Sequence, residues 1–96
     1  MSKITIVGKT THPKDQITKG ILNIIKGRLM AIKEELTPIE KDLAQFREKY
    51  SLNDEGFLQK FNSGELGDNK DFFVWEGSLR LYEKLKAEEN MLREVL

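Results

Sequence analysis

Four carboxylates in the second half of the chain are the residue types best suited to hold a metal ion or to exchange protons. They are Glu65, Asp68, Asp71 and Glu76. Their order does not follow the D-x-[DN]-x-[DN]-G pattern of a calcium-binding loop, and no distal glutamate completes such a loop. No nucleophile or general base is spaced to act with them. A turn aspartate followed by an aspartate that caps a helix explains Asp68 and Asp71, so we expect neither a catalytic residue nor a metal ligand here.

Two short patterns near the N-terminus also suggest chemistry. Residues 8–10, Gly-Lys-Thr, match the end of the phosphate-binding pattern G-x-x-x-x-G-K-[ST], but its first glycine would fall on Lys3. His12 is the only histidine and there is no cysteine, which leaves too few ligands for a zinc site. We therefore expect no enzymatic activity and no cofactor.

The elements that position every side chain are organised around one long apolar pattern. Its residues alternate at spacings of three and four, and they are Leu22, Ile25, Leu29, Ile32, Leu36, Ile39, Leu43, Phe46 and Tyr50. This alternation is typical of a coiled-coil seam with Leu22 at heptad position a. A helix over this stretch would be about 42 Å long, whereas a compact globule of this size has a radius of gyration of about 13 Å. The seam therefore needs a second helix, from the same chain or from another copy.

The predicted fold class is mainly α, with a long kinked helix folded against a C-terminal helix as an antiparallel hairpin, within a coiled-coil oligomer. An N-terminal strand or arm would occupy residues 1–13 and the helical hairpin residues 14–96. The helix signals predict a long helix at about 15–50, a short helix at about 54–62 and a C-terminal helix at about 72–96.

The middle of the long helix contains contradictory signals. Residues 37–40, Thr-Pro-Ile-Glu, have the pattern of a capping box with proline at the first helical position, which would start a new helix. The seam nevertheless continues through these residues. We favour a continuous helix kinked at Pro38 over two helices that meet at Thr37.

The N-terminal stretch Lys3–Val7 is β-branched and ends at Gly8, which predicts one short strand. Nothing else in the chain has a strand pattern. The strand would therefore pair with another chain, and the alternative is a disordered arm.

Zero net charge conceals an asymmetry along the chain. Residues 1–33 contain seven basic residues and one acidic residue, whereas the rest contain nine basic and fifteen acidic residues. The basic part could bind nucleic acid, or it could pair with the acidic part within an oligomer. DNA contacts would involve Lys3, Lys9, Lys14, Lys19 and Arg28.

Most aromatic residues lie between Tyr50 and Tyr82. They could form a hydrophobic plug that closes the bend of the hairpin, or an anchoring pocket for a partner. The candidate partner-binding residues are Phe57, Phe61, Leu66, Asp68 and Trp75. The expected oligomer interface consists of Leu22, Ile25, Leu29, Ile32, Leu36, Ile39, Leu43 and Phe46.

A motif around the bend resembles one found in small bacterial and archaeal coiled-coil proteins. There a long charged helix leads to K-Y-G-[MLS], F-x-x-x-[FY], G-x-[LM]-G-D and a helix that contains tryptophan. The matching residues here are Tyr50-Ser51-Leu52, Phe57, Phe61, Gly64-Glu65-Leu66-Gly67-Asp68, Asp71 and Trp75. Serine occupies position 51, where the pattern has glycine. Several of these proteins are taken to be antitoxin-like members of toxin-antitoxin gene pairs, and the resemblance implies the same role here.

The function that we expect is therefore a non-enzymatic interaction protein that forms a homodimer or higher oligomer. The resemblance implies an antitoxin-like partner that binds and neutralises a cognate toxin. The alternative is a nucleic-acid-binding transcriptional regulator that uses the basic N-terminal third. The chain has no long apolar run and no signal-peptide pattern, so we expect a cytoplasmic protein without a membrane partner.

Overall fold

The computed structural model describes residues 13–96, which form three α-helices. Helix α1 is Pro13–Tyr50, α2 is Asp54–Asn62 and α3 is Lys70–Val95. The predicted strand over Lys3–Val7 lies outside the described residues, as does His12.

Helices α1 and α3 form an elongated antiparallel hairpin. The ring of Tyr50 packs on Phe72 at one end, and Arg28 is hydrogen-bonded to Glu88 toward the other end. The hairpin measures 69 × 20 × 19 Å and its radius of gyration is 21.6 Å, well above the roughly 13 Å of a compact globule. The prediction of a mainly α fold, with a long helix packed on the C-terminal helix, is confirmed. We call the end that contains α2 the bend end and the opposite end the open end.

Helix α1 is continuous through Pro38. Thr37 does not cap a new helix, because its hydroxyl donates to the carbonyl oxygen of Lys33 at 3.1 Å. Pro38 is exposed, so the carbonyl that loses its hydrogen-bond donor to the proline is accessible to water. The alternative of two helices that meet at Thr37 is therefore wrong. The kink at Pro38 stays a prediction.

The apolar seam of α1 faces α3 along the hairpin. All nine seam residues are buried or partly buried in the single chain. Two clusters make up the core. The cluster toward the open end consists of Ile32, Leu36 and Leu85. The cluster at the bend end consists of Leu43, Phe57, Phe72, Trp75 and Leu79.

The turns at the bend end require a left-handed backbone at three positions. Ser51 has a φ of 54°, Gly64 of 80° and Gly67 of 74°. Glycine adopts this conformation without the steric cost that a Cβ introduces. Position 51 is the one at which the resembling pattern has glycine, and here serine adopts the left-handed backbone.

Asparagines cap the two later helices. The side chain of Asn53 accepts a hydrogen bond from the amide of Gly56 at 2.7 Å, and that of Asn69 accepts from the amide of Asp71 at 2.8 Å. The interpretation of Asp71 as the cap of the last helix is wrong. Asp71 lies in the first turn of α3, where a carboxylate is favoured by the helix dipole.

Candidate interaction surfaces

The aromatic residues at the bend end pack around Trp75. Its ring stacks on Phe57 with centroids 3.9 Å apart and planes 5° apart, and on Phe46 at 5.6 Å and 14°. Trp75 and Phe57 are both 0% exposed. This arrangement is that of a hydrophobic plug, since neither ring reaches the surface where a partner could touch it.

A carboxylate joins this plug to α1. One oxygen of Asp54 accepts a hydrogen bond from the indole nitrogen of Trp75 at 3.2 Å. The other accepts from Arg47 Nη1 at 2.9 Å. The Asp54 carboxylate on α2 is therefore bound to side chains of both α1 and α3, which fixes the position of the short helix.

A shallow depression lies beside this contact. Its volume is about 190 Å³, and it is lined by Glu40, Leu43, Arg47, Asp54 and Tyr82. Small-molecule sites usually measure roughly 300 to 1,000 Å³. The depression is smaller than this, and the charges of Arg47 and Asp54 are already paired across it, so we do not assign it a ligand.

A second polar contact closes the hairpin at the bend end. Asp71 Oδ2 accepts a hydrogen bond from the Tyr50 hydroxyl at 2.6 Å and from Lys49 Nζ at 2.8 Å. The hydrogen bonds from Lys49 and then Tyr50 lower the pKa of Asp71. The hydrogen bond to Asp71 raises the pKa of Tyr50 and that of Lys49. Asp71 thus joins the end of α1 to the start of α3, and it does not combine with Asp68 in a chemical site.

The bend end also has an accessible apolar surface. Phe61 and Leu66 are partly exposed, whereas Phe73 is 54% exposed. Phe73 packs edge-on against Phe61, with centroids 5.6 Å apart. We call Phe61, Leu66 and Phe73 the bend patch. Asp68, also predicted to bind a partner, is exposed in the neighbouring turn.

Sequence reasoning missed Phe73 and selected the buried Trp75. The two residues lie two positions apart on α3, which rotates them by about 200° around the helix axis. Phe72, Trp75 and Leu79 are the buried residues of α3 in the core at this end, and they recur at the spacing of one helix face. Phe73 does not fit this spacing, so the sequence pattern could have indicated that Phe73 is exposed.

Arg28 forms the main polar contact nearer the open end. Its Nε and Nη2 donate to the two carboxylate oxygens of Glu88 at 2.8 and 3.0 Å, and its Nη1 donates to Glu35 at 3.0 Å. The Arg28 hydrogen bond lowers the pKa of Glu88 and the pKa of Arg28 is raised in turn. A guanidinium held in this way on three of its nitrogens is poorly placed to bind a phosphate.

The other predicted DNA contacts are placed differently. Lys14 and Lys19 are exposed on the first turns of α1. Lys3 and Lys9 lie outside the described residues. Of the five basic residues, the structure thus leaves two in open solvent and pairs one with carboxylates.

Helix α1 extends beyond α3 at the open end. Trp75 lies level with about residue 48 of α1, because its ring stacks on both Phe46 and Tyr50, and α3 ends twenty residues later at Val95, so it covers α1 to about residue 28. Ile17, Ile21 and Ile24 are accordingly 62%, 51% and 72% exposed. The open end presents large apolar side chains to water because α1 continues beyond the end of α3 and because these three isoleucines lie beside the seam, whereas Leu22 and Ile25 of the seam are partly buried.

Two kinds of site are absent from residues 13–96. No group of three or more histidine or acidic side chains in this range could hold a metal ion. Within the same range, no helix combines the length and apolar character needed to cross a bilayer.

No model of a known protein family, no curated protein and no solved structure matches the chain. The resemblance of the bend motif to antitoxin-like proteins therefore stays a hypothesis.

Proposed function

We propose that this chain is a non-enzymatic protein-interaction and oligomerisation protein that acts as an antitoxin-like partner, binding and neutralising a protein toxin. The observation that carries the proposal is the amount of apolar surface left in water. Between residues 13 and 96, ten large hydrophobic side chains are exposed and only eight hydrophobic side chains are buried. Exposed apolar side chains that lie together mark surfaces that a partner covers, and two such groups are Ile17, Ile21 and Ile24 on α1 and the contacting pair Phe61 and Phe73.

The toxin would bind at the bend patch. Phe73 and Phe61 provide an aromatic pair of the kind that is enriched at interaction hot spots. The half of the hairpin nearest the bend, residues 34–83, contains twelve acidic and six basic residues. A partner that fits this surface has an apolar region bordered by basic side chains, because opposite charges at the rim favour association.

Co-expression with the product of the neighbouring gene tests the proposal. We expect the two proteins to elute together and the growth defect caused by the toxin to be relieved. Phe73→Glu should abolish both effects, since it places a charge in the contact without disturbing the buried core. Met30→Glu is the matched control, because Met30 is also an exposed apolar residue, at 69%, but lies on α1 away from the bend patch. Absence of co-elution with the unmodified chain, or unchanged rescue by Phe73→Glu, contradicts the proposal.

A row of lysines favours the second candidate function, nucleic-acid binding. Lys19, Lys26 and Lys33 are all exposed and recur every seven residues, which spaces them at about 10.5 Å along one side of α1. Binding to duplex DNA should then weaken steeply as salt is raised, and Lys26→Glu should reduce the salt dependence. Failure to bind at low salt excludes this candidate.

A further inference from the structure

We infer that two copies of this chain pair antiparallel along one side of the hairpin to form a four-helix bundle. The inference rests on the proposed oligomerisation function and assigns that function a surface. The surface, which we call the flank, contains Ile17 and Ile24 of α1 and Val74, Leu81 and Val95 of α3.

The hydrogen-bonded pair Arg28 and Glu88 shows that these five residues share one side of the hairpin. Ile24 and Ile17 precede Arg28 by four and eleven residues, or about one and three helical turns. The α3 residues of the flank are separated from Glu88 by multiples of seven, or about two turns each. Each of them therefore lies above or below the Arg28–Glu88 contact on the same side.

The flank is apolar and open in the single chain. Ile24 is 72% exposed, Val95 57% and Leu81 47%. Two helices cover each other along one line of contact, so the two faces of the pair stay open. Helical domains normally cover such a face with a further layer of helices. Ile32, Leu36 and Leu43 are already buried by α3, so we place self-association on the flank and not along the middle of the seam.

Three glycines reduce the size of side chains on the flank. Gly20 and Gly27 are four residues before and three residues after Ile24, and Gly77 lies between Val74 and Leu81. A Cβ added at any of the three would meet nothing within 4 Å, so the single chain does not need glycine there. Each glycine costs a helix about 1 kcal/mol relative to alanine. Close approach of another helix to the flank provides a reason for this cost.

Charge identifies the occupant as an antiparallel second copy. The open half, residues 13–33 and 84–96, contains eight basic and four acidic residues, whereas residues 34–83 contain six basic and twelve acidic residues. Antiparallel pairing places the basic half of each copy beside the acidic half of the other, and parallel pairing places like charges together. In a two-fold arrangement the same surface of each copy provides both the basic and the acidic part of the contact.

The positions of the apolar residues agree with this two-fold arrangement. Trp75 stacks on both Phe46 and Tyr50, so Val74 lies level with about residue 48 of α1. Val95 follows Val74 by twenty-one residues on α3 and therefore lies level with about residue 27 of α1. A two-fold axis perpendicular to the helices stacks α3 of one copy on α3 of the other. An axis at about residue 37 therefore brings Val74 of one copy close to Val95 of the other.

Light scattering on the full chain measures the assembly. We expect twice the chain mass of 11.1 kDa. Ile24→Glu and Leu81→Glu should raise the dissociation constant at least tenfold and leave a folded monomer, because both side chains are exposed in the single chain. Met30→Glu should leave the dimer unchanged, since Met30 is six residues from Ile24 and faces away from the flank. A monomeric unmodified chain, or equal effects of Ile24→Glu and Met30→Glu, overturns the inference.

Cross-linking tests the orientation, because the chain has no cysteine of its own. A mixture of Val74→Cys and Val95→Cys chains should be joined by a short bis-maleimide, whereas neither variant should be joined to itself. Cross-linking of each variant alone and not of the mixture indicates parallel pairing and overturns the inference.

The two proposals fail separately in these experiments. An unmodified chain that stays monomeric but still binds the toxin through Phe73 removes the inference and keeps the proposed partner. A dimer that dissociates in Ile24→Glu but binds no toxin supports the inference and removes the antitoxin-like role.

Discussion

Replacing Trp75 by alanine should remove a large part of the stability of the hairpin, whereas the same change at Phe73 should have little effect. The Trp75 ring is completely buried and stacks on Phe46, Tyr50 and Phe57. Truncation of a buried Phe or Trp to alanine costs about 3–5 kcal/mol, and each lost aromatic pair contributes about 0.5–1.5 kcal/mol of such stability beyond its buried area. We therefore expect a loss of about 4 kcal/mol from a total that for small domains is about 5–15 kcal/mol.

The matched change Phe73→Ala removes another aromatic ring only two residues away. Phe73 is 54% exposed and its aromatic contact is with Phe61. Most of its surface is already in water, so we expect a loss of about 1 kcal/mol or less.

Urea denaturation followed by far-ultraviolet circular dichroism measures both losses. Fluorescence is unsuitable because Trp75 is the only tryptophan. Both variants should be compared at the same protein concentration, since the proposed self-association would add to the apparent stability. A difference between the two variants of less than about 1 kcal/mol, or a larger loss for Phe73→Ala, refutes the assignment of Trp75 to the core.

Three further predictions concern the helices and their ends. Ser51→Gly should raise the free energy of unfolding by about 1 kcal/mol, because a non-glycine residue with a left-handed backbone is strained; a lower urea midpoint than that of the unmodified chain counts against this. The stability contributed by the lowered pKa of Asp71 should be present above about pH 4 and lost as the pH falls through that lowered pKa. The stability contributed by the raised pKa of Tyr50 should be present below about pH 10 and lost as the pH rises through that raised pKa. Melting temperatures of Asp71→Asn should then vary less with pH at both extremes, and an unchanged pH profile is the contrary result. Leu36→Asp should unfold the hairpin, with a cost of about 4 kcal/mol for an unpaired buried charge, whereas Lys41→Ala on the exposed side should be silent; equal melting temperatures contradict the seam register.

The long helix was the most predictable element. Its apolar residues keep the period of a helix from Leu22 to Tyr50, so the pattern itself excludes a strand and predicts that one side of the helix packs against another helix. Pro38 was ambiguous because capping and continuation compete locally. Continuation is the observed outcome, because Leu36 and Ile39 on either side of the proline both pack against α3.

The polar contacts were less predictable, since each joins residues far apart in the sequence. Arg28 was predicted to contact DNA because it lies in the basic part of the sequence. Its hydrogen-bond partner in the structure is Glu88, which lies sixty residues later and could not be inferred from neighbouring positions. Asp71 had the propensity of a helix cap. The folded chain brings the Tyr50 hydroxyl to it and leaves the capping position to Asn69.

Local sequence by itself determined where helices form and which side of α1 is apolar, because helical period and turn residues act over a few positions. Tertiary structure decided which aromatic rings are buried, which charges are neutralised and which apolar residues stay in water. Those outcomes depend on how α2 and α3 pack on α1, since an apolar residue is covered only where another helix lies against it. The isoleucines at the open end are as apolar as the core residues, but they stay exposed because they lie beside the seam and beyond the end of the C-terminal helix.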